Sequence, residues 1–371
     1  MKDNWIAERM GTIEISGIRK IFALGRTLKN AVDLSIGQPD FDVPEPIKQA
    51  AIDAIKSGEN GYTASPGIPK LRERILADLR SQYDHEDRDV LITSGTSGAL
   101  LLALSATVNP GDEVILFDPY FVSYKHLTRF VGGIPVLVDT YPHFQIDIAD
   151  LEAAITPRTK AILLNSPSNP TGTVYSSAQV AAVAQLALER GILLISDEIY
   201  RQFCYDGPFH SAAEFNPEAL IIDGFSKAYG MTGWRLGFAH GPKALLEEMT
   251  MLHQITYVCA PSMVQHAGVA AFDVDTGPSV RTFARRRNRI LEALNGAYEI
   301  EKPGGAFYVF PKAPWGTATQ FVEAAIAKNL LIVPGSAFSS RDTHFRLSYA
   351  VNDEILDRGL EILRSLAKQG K

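Results

Sequence analysis

Residues 192–200 read ILLISDEIY: a short, nearly continuous apolar run that stops at a carboxylate pair, followed by an isoleucine and a tyrosine. A run of this length is too short for an ordinary helix and too uniformly apolar for a strand with one wet face. It reads as a strand buried on both faces, with Asp197 and Tyr200 at its carboxyl end. Working outward, the same construction recurs in DVLITSG (89–95), EVILFDPY (113–120), IPVLVDT (134–140), AILLNSP (161–167), LIIDGFSK (220–227) and WRLGFAHG (234–241). Helix-like segments such as 97–108 and 176–191 separate several of them. Those lengths suit crossover connections, so the expected architecture is a mostly parallel α/β sheet.

The ends of these strands are chemically alike. SGTSG follows the first, DPY the second, SPSNPTG the fourth, DEIY the fifth and SK the sixth. In open α/β sheets ligands bind at the carboxyl edge, so five polar loops converging there mark a site more strongly than any one motif. From about residue 275 the pattern changes to a basic helix-like segment, two strand-like stretches (298–311 and 344–351) and a terminal helix. In that helix Leu356, Leu360, Leu363 and Ala367 share a face, and Asn352 or Asp353 serves as cap. This points to a smaller α+β lobe.

Composition narrows the function. With 371 residues, 46% of them apolar, the chain can bury a large core and form two lobes. A net charge of −6 with mixed acids and bases lacks the basic surplus of a nucleic-acid footprint. Two cysteines, Cys204 and Cys259, allow no disulfide framework or four-thiolate zinc site, and the eight histidines show no pair at metal-ligand spacing, so no metal site is expected. The first nine residues carry charges and lack the apolar core of a signal peptide, and no apolar run approaches the ~20 residues of a membrane helix. The expectation is a cytoplasmic protein without a membrane or nucleic-acid partner.

Within GFSKAYGMTGWRLG (224–237), Lys227 is either a surface charge beside a turn or a buried amine held for chemistry. A desolvated lysine becomes nucleophilic near neutral pH and condenses with carbonyls. Backbone N–H groups of Gly95, Thr96 and Ser97 in SGTSG offer an anion site at a helix start, and Arg235 offers a fork to a phosphate. With the Asp197 carboxylate to pair with a ring nitrogen, these parts describe an aldehyde, a phosphate and a pyridine: pyridoxal phosphate.

The chain resembles the class I/II aminotransferases of the aspartate aminotransferase superfamily, the fold-type I pyridoxal-phosphate enzymes, over nearly its whole length. LSIGQPDF, YTASPGIPKLRE, SGTSGAL, DPYFVSY, NSPSNPTG, SDEIY, the lysine stretch, GGAFYVF, IVPGSAF and FRLSYA occur in the family's order. The resemblance implies a large domain over 43–272 with a mostly parallel seven-stranded sheet flanked by helices, and a small domain built from 1–42 and 273–371. It implies that Lys227 carries the cofactor, that Asp197 keeps its ring nitrogen protonated, and that Tyr200 and Asn169 bond its phenolic oxygen. Arg235, Ser226 and the backbone at Gly95, Thr96 and Ser97 would hold the phosphate, joined by Tyr62 of the partner subunit in a homodimer. Arg346 would take the substrate's α-carboxylate, with Asn169 and the Gly37 backbone assisting. Freed by the substrate, Lys227 would move the α-proton, and an amino acid and a 2-oxo acid, 2-oxoglutarate foremost, would exchange an amino group by a ping-pong sequence.

One position departs from many relatives, which carry tryptophan where this chain has Phe121; phenylalanine still stacks on a ring but offers no indole N–H. Two other readings use the same residues: a carbon–sulfur β-lyase, and a non-catalytic ligand-binding protein on this scaffold. Aspartate, aromatic and small neutral amino acids all stay open as donors. The arginine run 285–287 reads as a solvated helix face without a role, and both cysteines as ordinary buried thiols.

Overall fold

The computed structural model describes residues 5–13, 28, 30–83 and 85–370. Among the described residues a 3₁₀ helix (Glu8–Thr12) is followed in chain order by β1 (Val32–Asp33), α1 (Glu45–Lys56), α2 (Pro69–Arg80), β2 (Arg88–Thr93), α3 (Gly95–Thr107), β3 (Glu113–Asp118), α4 (Val122–Phe130) and β4 (Ile134–Asp139). Next come α5 (Ile148–Ala154), β5 (Thr159–Asn165), α6 (Ser177–Glu189), β6 (Leu193–Asp197), β7 (Leu220–Gly224), β8 (Gly237–Pro242), α7 (Lys243–Thr256) and α8 (Ser262–Ala271). The chain closes with α9 (Gly277–Leu294), β9 (Tyr308–Val309), α10 (Ala318–Ala327), β10 (Leu330–Leu331), β11 (Val333–Pro334), β12 (Phe345–Ser348) and α11 (Asp353–Ala367).

The seven apolar runs form one sheet in the order β2-β8-β7-β6-β5-β3-β4. Its central pairings are parallel, and β8 runs antiparallel to both its neighbours. The link from β7 to β8 explains that reversal. It contains only a short 3₁₀ turn at Thr232–Trp234 and no crossover helix, so the chain returns beside the strand it has left. Near-continuous hydrophobicity follows from burial on both faces: Leu116, Leu163, Ile195 and Ile222 enter one core, while Ile115, Ile162, Leu194 and Ile221 enter the other. Helix α6 starts where its sequence dictates, with Ser176 and Gln179 forming a reciprocal capping box.

A separate core gathers both ends of the chain. Val32 and Leu34 pack with Phe283, Phe307, Phe321, Phe345, Leu356, Leu360 and Leu363. Around it lie a two-stranded parallel pair, β1-β10, and an antiparallel sheet, β11-β12-β9. Helix α11 presents the expected apolar face, and its cap is Asn352, whose side chain accepts from the Ile355 N–H at 2.9 Å. Gly359 lets this helix lie against β1, since a Cβ there would meet Leu34 Cδ1 at 2.6 Å.

The arginine run departs from expectation. Arg286 and Arg287 are buried, at 7% and 4% exposure, and only Arg285 of the three faces solvent. Arg287 pairs with Asp206, and Arg286 with Asp40 and Asp353. Each partner lies far away in sequence, so the helix's own periodicity carries no sign of them. The two cysteines are free and half-buried rather than fully buried, with the Cys204 thiol pushed up to about 12 by desolvation. Among the described residues no helix is long and apolar enough to cross a membrane.

Candidate active site

The polar strand ends meet in one cleft of about 350 Å³. Gly37, Thr96, Ser97, Phe121, Asn169, Asp197, Tyr200, Ser226, Lys227, Arg235 and Arg346 all line it. Of the residues singled out in the sequence, only Gly95 and Tyr62 do not. Gly95 lies directly behind, with φ +69° and so little room that a Cβ would stand 2.4 Å from Arg235 Nη2. Tyr62 is 87% exposed, outside the cleft of its own chain, on a loop pinned from below by Gln265 and His253. The Gln265 side chain accepts from the Ile68 N–H at 2.8 Å and donates to Thr63 Oγ1 at 3.0 Å, and His253 Nδ1 lies 3.0 Å from the Ser65 carbonyl.

Asp197 is the last residue of β6 and is buried. Burial lifts its carboxyl to about 6, opposed chiefly by a hydrogen bond from Tyr124, whose hydroxyl donates to Oδ2 at 2.8 Å. Asn165, at the end of β5, donates to the Asp197 carbonyl at 2.9 Å and accepts from the Asn169 N–H at 2.9 Å, so it ties the β6 end to the NPTG turn.

Lys227 follows β7 and donates from Nζ to the Gly37 carbonyl at 2.7 Å. Desolvation, with Arg346 and Arg235 adding positive charge nearby, lowers its amine to about 8. The choice left open by the sequence is thus closed: Lys227 sits in the cleft rather than on the open surface.

Arg346, on β12, is only 1% exposed. Its Nη1 donates to Asn169 Oδ1 at 3.0 Å and its Nη2 to the Ser35 carbonyl at 2.6 Å. Its plane lies between Tyr308 and Phe338, whose ring centroids are 4.6 and 4.7 Å from the guanidinium carbon. Among the described residues no carboxylate pairs with it, and its Nε is buried without an acceptor. Tyr308 also shares a hydroxyl contact of 2.8 Å with Tyr200.

The phosphate end is equally open. Helix α3 begins at Gly95, and Ser94, its cap, makes no side-chain bond to the first-turn N–H groups. Arg235, in a left-handed conformation at φ 59°, donates among the described residues to the Thr232 and Ser94 carbonyls, at 3.0 and 3.3 Å. Gly237 admits that close approach, because a Cβ there would meet the Gly95 carbonyl carbon at 2.7 Å. Three cations, one buried carboxylate and the first-turn N–H groups of α3 fit a phosphorylated, carboxylate-bearing ligand set, and the residues accommodate pyridoxal phosphate.

Tyr124, Tyr308 and Asn165 are among the lining residues that sequence reasoning passed over. All three stand inside landmark motifs, DPYFVSY, GGAFYVF and NSPSNPTG, where Phe121 and Asn169 drew attention instead.

Fold and cleft together bring a lysine, two arginines and a buried carboxylate to the carboxyl edge of an α/β sheet. The family model "Aminotransferase class I and II" matches residues 29–363. The aspartate aminotransferase of Geobacillus stearothermophilus is 37% identical, covering 96% of this chain and 97% of that protein. An aspartate/prephenate aminotransferase of Thermus thermophilus is 38% identical over 92% of each chain. The solved structure of the Thermus thermophilus aspartate aminotransferase with maleate superposes with a TM-score of 0.93 at 35% identity, covering 97% of this chain and 99% of that one. The chain therefore belongs to the class I and II aminotransferase family. It is a fold-type I, pyridoxal-phosphate-dependent aminotransferase, and its substrates are amino acids and oxo acids.

Proposed function

We propose that this protein transfers the amino group of an L-amino acid to 2-oxoglutarate by a ping-pong mechanism, in a cytoplasmic homodimer whose sites each borrow Tyr62 of the partner subunit. The observation that carries the reading is Arg346: a buried guanidinium, stacked between two aromatic rings, with no carboxylate of its own among the described residues. Such a cation is costly unless a ligand's carboxylate completes it.

Pyridoxal phosphate, when bound, supplies an aldehyde that takes up the amino group and a ring that spreads the electron pair left at the α-carbon. The chain does the rest. Arg346 grips the α-carboxylate in a fork, with Asn169 and the Gly37 backbone beside it, and so fixes which α-carbon bond faces Lys227. Lys227, with its amine near 8, carries a useful unprotonated fraction at neutral pH and takes the proton from the α-carbon. Asp197 would hold a proton at the cofactor's ring nitrogen, and Tyr124, donating to Oδ2, keeps that carboxylate charged and aimed. Tyr200 and the Asn169 amide would bond the cofactor's phenolic oxygen, and Phe121 would pack against its ring. Arg235, Ser226 and the N–H groups at Gly95, Thr96 and Ser97 would hold its phosphate.

The division into a large domain (43–272) and a small one (1–42 with 273–371) is supported by the separate core that joins both chain ends; residues 1–4, 14–27, 29, 84 and 371 of that division lie outside the described residues. Two free cysteines support a reducing compartment. The names of the relatives bring aspartate and aromatic amino acids forward as donors.

The test is a half-reaction screen. Aspartate, glutamate, phenylalanine and alanine are each mixed with the pyridoxal form, and conversion is followed by loss of its visible absorption band. Conversion that 2-oxoglutarate reverses is expected for at least one donor. Pyruvate and ammonia released from an S-substituted cysteine such as cystathionine, with the thiol as leaving group and without any oxo acid, would instead identify a β-lyase. Sedimentation showing a fully active monomer would remove the partner's Tyr62 from the site.

A further inference from the structure

We propose that Arg286 is a positioning residue for amino transfer, acting through the strap of residues 33–42 that feeds backbone carbonyls to both Lys227 and Arg346. This inference rests on the roles given above to those two side chains.

The strap runs from β1, paired with β10 in the small lobe, to α1, whose Ile47, Ala51 and Ala54 are buried with α8 in the large one. Along it, the Ser35 carbonyl accepts from Arg346 Nη2 at 2.6 Å and the Gly37 carbonyl accepts from Lys227 Nζ at 2.7 Å. Two carbonyls two residues apart thus orient the proton-moving amine and the carboxylate-gripping arginine. Gly37 has no slack, since a Cβ there would meet Tyr308 Oη at 2.4 Å. The inner end is fixed by the β1 ladder and by Asp33, which accepts from Ser35 Oγ at 2.6 Å.

The outer end is fixed by α9. Arg286 Nη1 and Nη2 donate to the two carboxylate oxygens of Asp40 at 2.9 and 2.8 Å, and Phe41 lies 6.2 Å from Phe283, one turn earlier on the same helix. Arg286 is 7% exposed, so this fork is shielded from solvent far better than a surface pair. Its Nε makes a second, separate contact with Asp353 at 3.0 Å, at the start of α11. Asp353 has other cations, Arg285 at 2.9 Å and Arg289 at 3.8 Å, whereas among the described residues Arg286 is the one that grips Asp40. The two arms of Arg286 are therefore separable: one serves the strap, the other the packing of two helices.

The experiment compares D40N, R286K and D353N in the cofactor-loaded enzyme, reading hydrogen exchange at the amides of residues 34–41 and kcat/KM for the best donor from the screen. D40N and R286K are expected to speed exchange in the strap, raise KM for the amino acid and lower kcat/KM by about 10- to 100-fold, the usual consequence of a misplacement near 1 Å. D353N is expected to leave strap exchange and kcat/KM as in the parent. The inference is overturned if D40N loosens the strap without kinetic effect, if D40N changes neither readout, or if D353N lowers kcat/KM as much as D40N. R286K keeps the charge and decides the matter should D40N fail to fold. Turnover retained in a Lys227→Ala enzyme would bring down the underlying reading instead, whatever the strap variants do.

Discussion

Tyr124 Oη donates a 2.8 Å hydrogen bond to Asp197 Oδ2, and both residues are buried. The bond favours the charged carboxylate against the burial that lifts it to about 6. Y124F removes that support and raises the Asp197 carboxyl further. Cofactor affinity is expected to fall by about 10- to 100-fold at pH 6, matching one bond to a charged group at roughly 1.5–3 kcal/mol. The loss shrinks toward pH 8, where the carboxylate is ionised with or without the tyrosine. Titration of cofactor into the stripped chain at both pH values checks this.

Arg346 meets its partners through a planar fork held between Tyr308 and Phe338. R346K keeps the charge but loses the second donor direction and the stacking. Its kcat/KM for the amino acid is expected to drop by about 2–5 kcal/mol, with most of the change in KM. Steady-state kinetics with both substrates varied measures it. A drop confined to kcat would reassign the residue.

Lys227 also makes the protein's stability depend on pH. Its amine loses a proton near 8 in the folded chain but near 10.5 when unfolded. Below pH 8 the folded state must hold a charge in a desolvated site, and this penalty is full there. As pH rises from 8 to 10.5 the unfolded chain binds more protons than the folded one, so the penalty fades. K227M, studied without cofactor, is expected to be more stable than the parent at pH 7, by up to about 3 kcal/mol, with the gain vanishing by pH 10.5. Chemical denaturation across that range reads it.

Gly95 combines φ +69° with a direct approach to Arg235. G95A is expected to cost about 1–2 kcal/mol of folding stability through backbone strain and to displace the guanidinium. Affinity for pyridoxal phosphate should fall more than affinity for pyridoxal, which lacks the phosphate. Equal losses for the two ligands would place the phosphate elsewhere.

Much of this was legible in the chain because burial writes itself into strands. The apolar run of ILLISDEIY gives way to Asp197, where β6 ends, and its residues divide between two cores, which is why the run shows no alternation. Lys227, Asp197 and Arg346 were marked by charge placed against apolar runs. What escaped depends on residues distant in sequence. Arg286 and Arg287 look like any solvated helix face until Asp40, Asp206 and Asp353 are folded against them. Tyr124 and Tyr308 look like core aromatics, and only their hydroxyl partners, Asp197 and Tyr200, show otherwise.

The central claim is that Lys227 is the amine that carries the cofactor and moves the proton. Its most direct test is borohydride reduction of the cofactor-loaded enzyme followed by peptide mapping. The added mass of the cofactor is expected on Lys227, with none on any other lysine. Stoichiometric label on a different lysine, with Lys227 unmodified, would contradict the account.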